Sequence, residues 1–130
     1  MNADDVLKQA IETIERDGWY QGGYYQMPSI PPPGSGSNIT DAIREARKTA
    51  PVCSMGAINR VMTSDAANGF IAGDQGDVYE DVKRRLAAAI GYPGLLSGRD
   101  EFNWIVDYND LKSTTKEDVV LAFKKAAARD

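Results

Sequence analysis

The residues able to do chemistry are few, and the first of them is a thiol. Cys53 is the only cysteine in a chain of 130 residues that contains no histidine. It follows Pro51 where a helix is expected to begin, and the partial positive charge at a helix start favours the thiolate nucleophile. A nucleophile needs a proton acceptor, which histidine supplies most often. Without histidine, neither a Cys-His pair nor a Ser-His-Asp triad can be assembled from this chain. The acceptors left are oxygen groups, of which Asp107, Asn109 and Asp110 form a compact set. Two readings follow. One is a cysteine-dependent enzyme using Cys53 with Asp107, Asn109 or Asp110. The other is a small apolar side chain filling the core, the commoner fate of a free cysteine. The missing histidine favours the second, so catalysis is the weaker expectation.

The run Asp107-Tyr108-Asn109-Asp110 also invites a calcium reading, which fails on spacing. Counting from Asp107, the fifth place holds Leu111 and the sixth Lys112, where a loop of the EF-hand kind needs glycine. The twelfth holds Asp118 instead of glutamate. The simpler expectation is that these side chains bond nearby backbone amides and shape the turn before the last helix. Gly73-Asp74-Gln75-Gly76-Asp77 precedes a helix as an anion cradle would, but it has no P-loop lysine and its aspartates repel phosphate. One cysteine excludes an intrachain disulfide and a cysteine-rich metal site. No metal and no cofactor are expected.

Binding is the alternative to catalysis. Trp19, Tyr20, Tyr24, Tyr25, Phe102 and Trp104 are residue types that anchor interfaces, although in a small helical domain such rings more often lid the core. Tyr20, Tyr24, Tyr25 and Trp104 are the candidate contact residues, the tyrosines being the more exposed. Segment 28–38 holds Pro28, Pro31, Pro32 and Pro33 ahead of Gly34-Ser35-Gly36-Ser37. It is expected to be an exposed loop, and a proline-recognition module could read it. The partner would be a protein, such as one of a host cell. A formal charge of −4, from 15 basic and 19 acidic residues, opposes nucleic-acid binding. Lys124, Lys125 and Arg129 suit the C-terminal end of a helix instead. No apolar run approaches the ~20 residues that span a bilayer. The acidic start lacks the segments of a signal peptide, so a cytoplasmic protein without membrane contact is expected. Association into a homo-oligomer is an open alternative.

These groups need a frame, and the apolar pattern supplies helices. Val6, Leu7, Ala10, Ile11 and Ile14 predict a helix over 3–17, capped by Asn2 and stopped by Gly18 in a left-handed conformation. Others are expected over 40–48, over 52–63 with Pro51 pre-setting its start, over 78–90 capped by Asp77, and over 115–128 opened by a capping box from Thr114 to Glu117. Met55, Ile58, Val61 and Met62 give the third an inward face, and Gly56 and Ala57 let a neighbouring backbone approach it. The segment from 92 to 113 is read as a loop, partly extended, and Gly22-Gly23 as a hairpin turn or a covering loop. The fold class is all-α: about five helices in a single domain over 1–130, with long aromatic and glycine-rich loops.

Gly18-Trp19-Tyr20-Gln21-Gly22, Val52-Cys53-Ser54-Met55-Gly56-Ala57-Ile58, Tyr108-Asn109-Asp110 and the closing helix from Thr115 to Ala126 together resemble an uncharacterised domain family of actinobacteria and their bacteriophages. Its pattern is Gly-Trp-Xaa-Gln-Gly, Cys-Xaa-Leu-Gly-Ala-Leu and Trp-Asn-Asp. Met55 and Tyr108 replace the family's leucine and tryptophan with side chains of like character, which implies packing at both places. The family carries no assigned activity. The resemblance implies an origin in an actinobacterium or actinophage, and little about mechanism. The expectation from the residues is a small cytoplasmic, phage-type accessory protein, in the host cytoplasm if phage-encoded, that acts by protein–protein binding.

Overall fold

The computed structural model describes residues 1–27, 34, 39–65, 70, 71 and 75–128. Among these the chain forms six α-helices: α1 (Ala3–Asp17), α2 (Ile39–Thr49), α3 (Ser54–Met62), α4 (Gly76–Ala89), α5 (Glu101–Asp110) and α6 (Lys116–Ala127). The mainly helical class expected from the apolar pattern is therefore the observed one. A short antiparallel pair, β1 (Thr63–Asp65) and β2 (Phe70–Ile71), joins Thr63 to Ile71 and Asp65 to Phe70 with an irregularity between. It does not include Gly22-Gly23, where either a hairpin turn or a covering loop was expected. Most of segment 28–38, the glycines of 69 and 73, and Arg129 fall outside the described residues.

α3 is the interior rod. Every residue from Ser54 to Ile58 is buried. α1 packs against α3, α4 and α6, and α5 packs against α3 and α4. Leu7, Ile14, Met55, Ile58, Leu86 and Phe123 are the largest side chains sealed between them. α1 follows its sequence signals closely. The Asn2 side chain accepts from Asp5 N–H at 2.9 Å, and Asp5 accepts in return from Asn2. Gly18 ends the helix with φ 98° and ψ 163°. The positive φ is as expected, but ψ is extended rather than left-handed helical, because the chain leaves at once to pair with Val52.

The starts of α3, α4 and α6 differ from expectation, and α5 was not expected, each for a local reason. Pro51 does not open α3. Val52 is held extended by two backbone bonds to residues 18 and 20, so Cys53 becomes the N-cap. α4 starts at Gly76, which leaves Asp77 in the first turn rather than at the cap. The capping box of α6 is Thr115 with Asp118, one residue later than expected. Thr114 is buried and already donates its N–H to Leu111. The largest correction is α5, a ten-residue helix where a loop was expected. Asp100 caps it by accepting from Asn103 N–H at 2.8 Å. Phe102, Ile105, Val106 and Asn109 turn toward the protein at helical spacing.

One buried ion pair ties the helix ends together. The Arg60 guanidinium donates to Asp17 at 2.9 Å and to the carbonyls of Ala46, Arg47 and Ala50 at 2.8 to 3.1 Å. It thus adds donors to the carbonyls at the C-terminal end of α2, where helical partners run out, although Ala46 also accepts from Ala50 N–H at 3.0 Å. Hydrogen bonds from Arg16 and Arg60 hold the Asp17 carboxyl below its ordinary range against the opposing effect of burial. No helix among the described residues is long and apolar enough to cross a membrane.

Candidate functional site

The loop after α1 grips the strand-like stretch before α3 from both sides. On one leg Val52 N–H donates to Gly18 and Tyr20 N–H donates to Val52, at 3.0 and 2.9 Å. On the other, Cys53 N–H donates to Tyr24 and Gln26 N–H to Pro51, at 3.0 and 2.8 Å. Gly22 bends the loop at φ 97°. The second leg rests directly on α3: a Cβ on Gly56 would lie 1.9 Å from the Tyr24 carbonyl oxygen. The close backbone approach expected at Gly56 is thus present, and its partner is this loop.

Asn109 is the centre of the arrangement and is wholly buried. Its Oδ1 accepts from Trp19 Nε1 (2.8 Å), Ser54 N (3.0 Å) and Ser54 Oγ (2.8 Å). Its Nδ2 donates to the carbonyl of Tyr20 at 3.1 Å and to Asp110 Oδ1 at 3.0 Å. Gln21 Nε2 donates to the carbonyls of Asn109 and Leu111, and Gly22 N–H donates to Asp110 Oδ1 at 3.0 Å. Asn109 and Asp110 were expected to shape the turn before α6. They instead bond residues 55 to 90 positions away, because α5 carries them to the base of the loop.

Between this loop and α5 lies a cavity of about 290 Å³, lined by Gly22, Gly23, Tyr24, Cys53, Met55, Phe102, Val106, Asn109 and Asp110. Its walls are mostly apolar, with Asn109 and Asp110 the polar exceptions, and Tyr24 leans on Phe102 with ring centroids 6.2 Å apart. Of the candidate catalytic residues, Cys53, Asn109 and Asp110 meet here. Asp107 does not, being exposed and paired with Arg99 through two bonds of 2.9 Å. The thiol is 6% exposed. Its sulfur caps α3 by accepting from Gly56 N–H at 3.2 Å. Burial pushes the thiol's pKa up, and the Asp110 charge adds to this, outweighing the lowering by the amides of Gly56 and Met55. Burial thus outweighs the help that the start of α3 gives a thiolate.

Of the candidate contact residues, Tyr24 lines the cavity and is 44% exposed. The other three are half-buried and carry internal work. The carbonyl of Tyr20 serves Asn109. The Tyr25 hydroxyl accepts from Arg47 Nε at 2.9 Å. Trp104 stacks edge-on against Tyr92 and donates to the Ile90 carbonyl, bracing the start of α5 against the end of α4. Sequence reasoning missed Gln21, Ser54 and the hub role of Asn109, since no local pattern marks a side chain whose partners are distant. The three short strings behind the family resemblance are the ones that meet here.

The chain belongs to DUF6197, a family of unknown function. The DUF6197 profile matches residues 1–129. No curated protein and no solved structure matches the chain. Among the described residues of this DUF6197 chain, no three acidic or cysteine side chains gather as metal ligands would.

Proposed function

We propose that the chain is a binding protein: a cytoplasmic accessory protein of phage type that docks a partner protein by taking one of its apolar side chains into the cavity beside Cys53. The cavity carries this reading. Interface anchors bury in well-packed, desolvated pockets, and this one offers Phe102, Val106, Met55 and Tyr24 as walls. A dry apolar cavity of ~150 Å³ holds benzene, so one of about 290 Å³ accommodates an aromatic or large aliphatic side chain. Met55 adds an adaptable wall. The meeting of Cys53, Asn109 and Asp110 favours a second reading, cysteine catalysis. It is the weaker one, since the sulfur is bonded, burial pushes its pKa up, and Asn109 has its bonding capacity filled.

Two measurements test the choice. A displayed peptide library selected on the folded chain is expected to enrich sequences sharing one large apolar residue, and Val106→Phe, which fills the cavity, is expected to abolish the enrichment. No enrichment, or enrichment that survives Val106→Phe, refutes docking at this cavity. Labelling of Cys53 is expected to be slower than that of a free peptide thiol; faster labelling supports catalysis instead.

A further inference from the structure

The lip of the cavity sets a second requirement on whatever enters it. Asp110 lines the cavity and is exposed. Its Oδ1 is fixed by Gly22 N–H and by Asn109 Nδ2, each at 3.0 Å. Among the described residues no lysine or arginine forms an ion pair with it. Asp107, one turn earlier, is instead matched by Arg99. An apolar hole thus opens beside a rigid carboxylate whose charge no described side chain offsets. The walls alone would take any apolar anchor. The carboxylate discriminates among anchors, attracting a cation beside the anchor and repelling an anion.

We infer that the docked segment carries a lysine or arginine next to its apolar anchor, and that this cation pairs with Asp110 at the lip. The inference rests on the docking reading and adds the chemistry of the partner. Capped short peptides test it, each measured by titration against the full chain: tryptophan beside arginine, tryptophan beside alanine, tryptophan beside glutamate, and arginine without tryptophan. The first is expected to bind roughly three- to tenfold more tightly than the second at low salt, with the advantage shrinking at high salt. The other two should bind more weakly than both. Asp110→Asn keeps the Oδ1 acceptor for Gly22 and is expected to erase the preference for arginine. The salt dependence of the parent chain gives the same discrimination without relying on a variant.

Equal binding of the arginine and alanine peptides, or a preference that survives Asp110→Asn, overturns the cation while leaving docking intact. No binding by the tryptophan–arginine or the tryptophan–alanine peptide overturns both. Phenethylamine binding as tightly as the arginine peptide overturns the inference by assigning the cavity to a small amine.

Discussion

Gly56→Ala sets two well-known effects against each other. In an exposed helix, alanine in place of glycine gains about 1 kcal/mol from reduced backbone freedom in the unfolded chain. Here the new methyl would meet the Tyr24 carbonyl oxygen at 1.9 Å and its carbon at 2.8 Å. Backbone, not a flexible side-chain tip, must retreat by more than an ångström. Overpacking of this kind costs about 1–3 kcal/mol. The retreat also pulls on the bonds from Cys53 to Tyr24 and from Gln26 to Pro51, whose net worth is about 1 kcal/mol each. The steric side wins, with a net loss of ~2–4 kcal/mol. Urea unfolding followed by circular dichroism should show the midpoint falling by roughly 1–2 M at constant slope. Gly76→Ala is the control: it opens α4 with nothing within 4 Å of the added carbon, so it should be neutral or slightly stabilising. A Gly56→Ala midpoint equal to or above that of the parent would refute the seating of the loop on α3.

Asn109→Leu keeps the branched shape, though with more bulk, but strands the Trp19 indole, both Ser54 donors and the Tyr20 carbonyl. At about 1–3 kcal/mol for each stranded group, most of a typical domain's stability is lost, and tryptophan fluorescence should report the opening. Arg60→Met leaves the Asp17 side chain, 9% exposed, without its buried partner, and removes the guanidinium donors from the carbonyls of Ala46, Arg47 and Ala50 at the end of α2. A loss of about 3 kcal/mol in a denaturant melt is expected, and Arg60→Lys should restore only part of it, since an ammonium lacks the fork. The two ends of the pH scale act with opposite sign. The lowered Asp17 pKa makes stability fall on acidification, from the unfolded carboxyl's pKa down through the folded one. The raised pKa values of Cys53 and of Tyr79, the latter pushed up to about 12 by burial, mean that stability is full below their unfolded values. It is lost as pH rises through the folded ones, and Cys53→Ala should remove the thiol's share of that alkaline loss in thermal melts. Ile58→Ala, in the buried face of α3, should cost ~2–4 kcal/mol.

Where apolar spacing and caps agree, as in α1 and α6, helices were legible within a residue or two. α5 was hidden because Phe102, Trp104, Ile105, Val106 and Tyr108 are types that also suit strands. Its surest helical signal was a single capping aspartate, Asp100, ahead of them. Pro51 misled for a different reason: the bonds that hold Val52 extended come from the loop after α1. The site was half visible. Cys53, Asn109 and Asp110 could be named by type, and Gly56 by its smallness in a helix. That they surround one hollow depends on three segments meeting, which periodicity does not encode.

The crowding at Asn109 has a consequence for which changes this sequence can tolerate. A carbonyl oxygen offers two lone pairs, yet three donors converge on this one. Ser54→Ala or Trp19→Phe removes one claimant and leaves the oxygen still served, so each alone is milder than the loss of the amide. Their combined effect exceeds the sum, since the second deletion finds no surplus. Drift at this junction is therefore lopsided: the outlying positions vary singly at modest penalty, while the hub changes only together with its dependants.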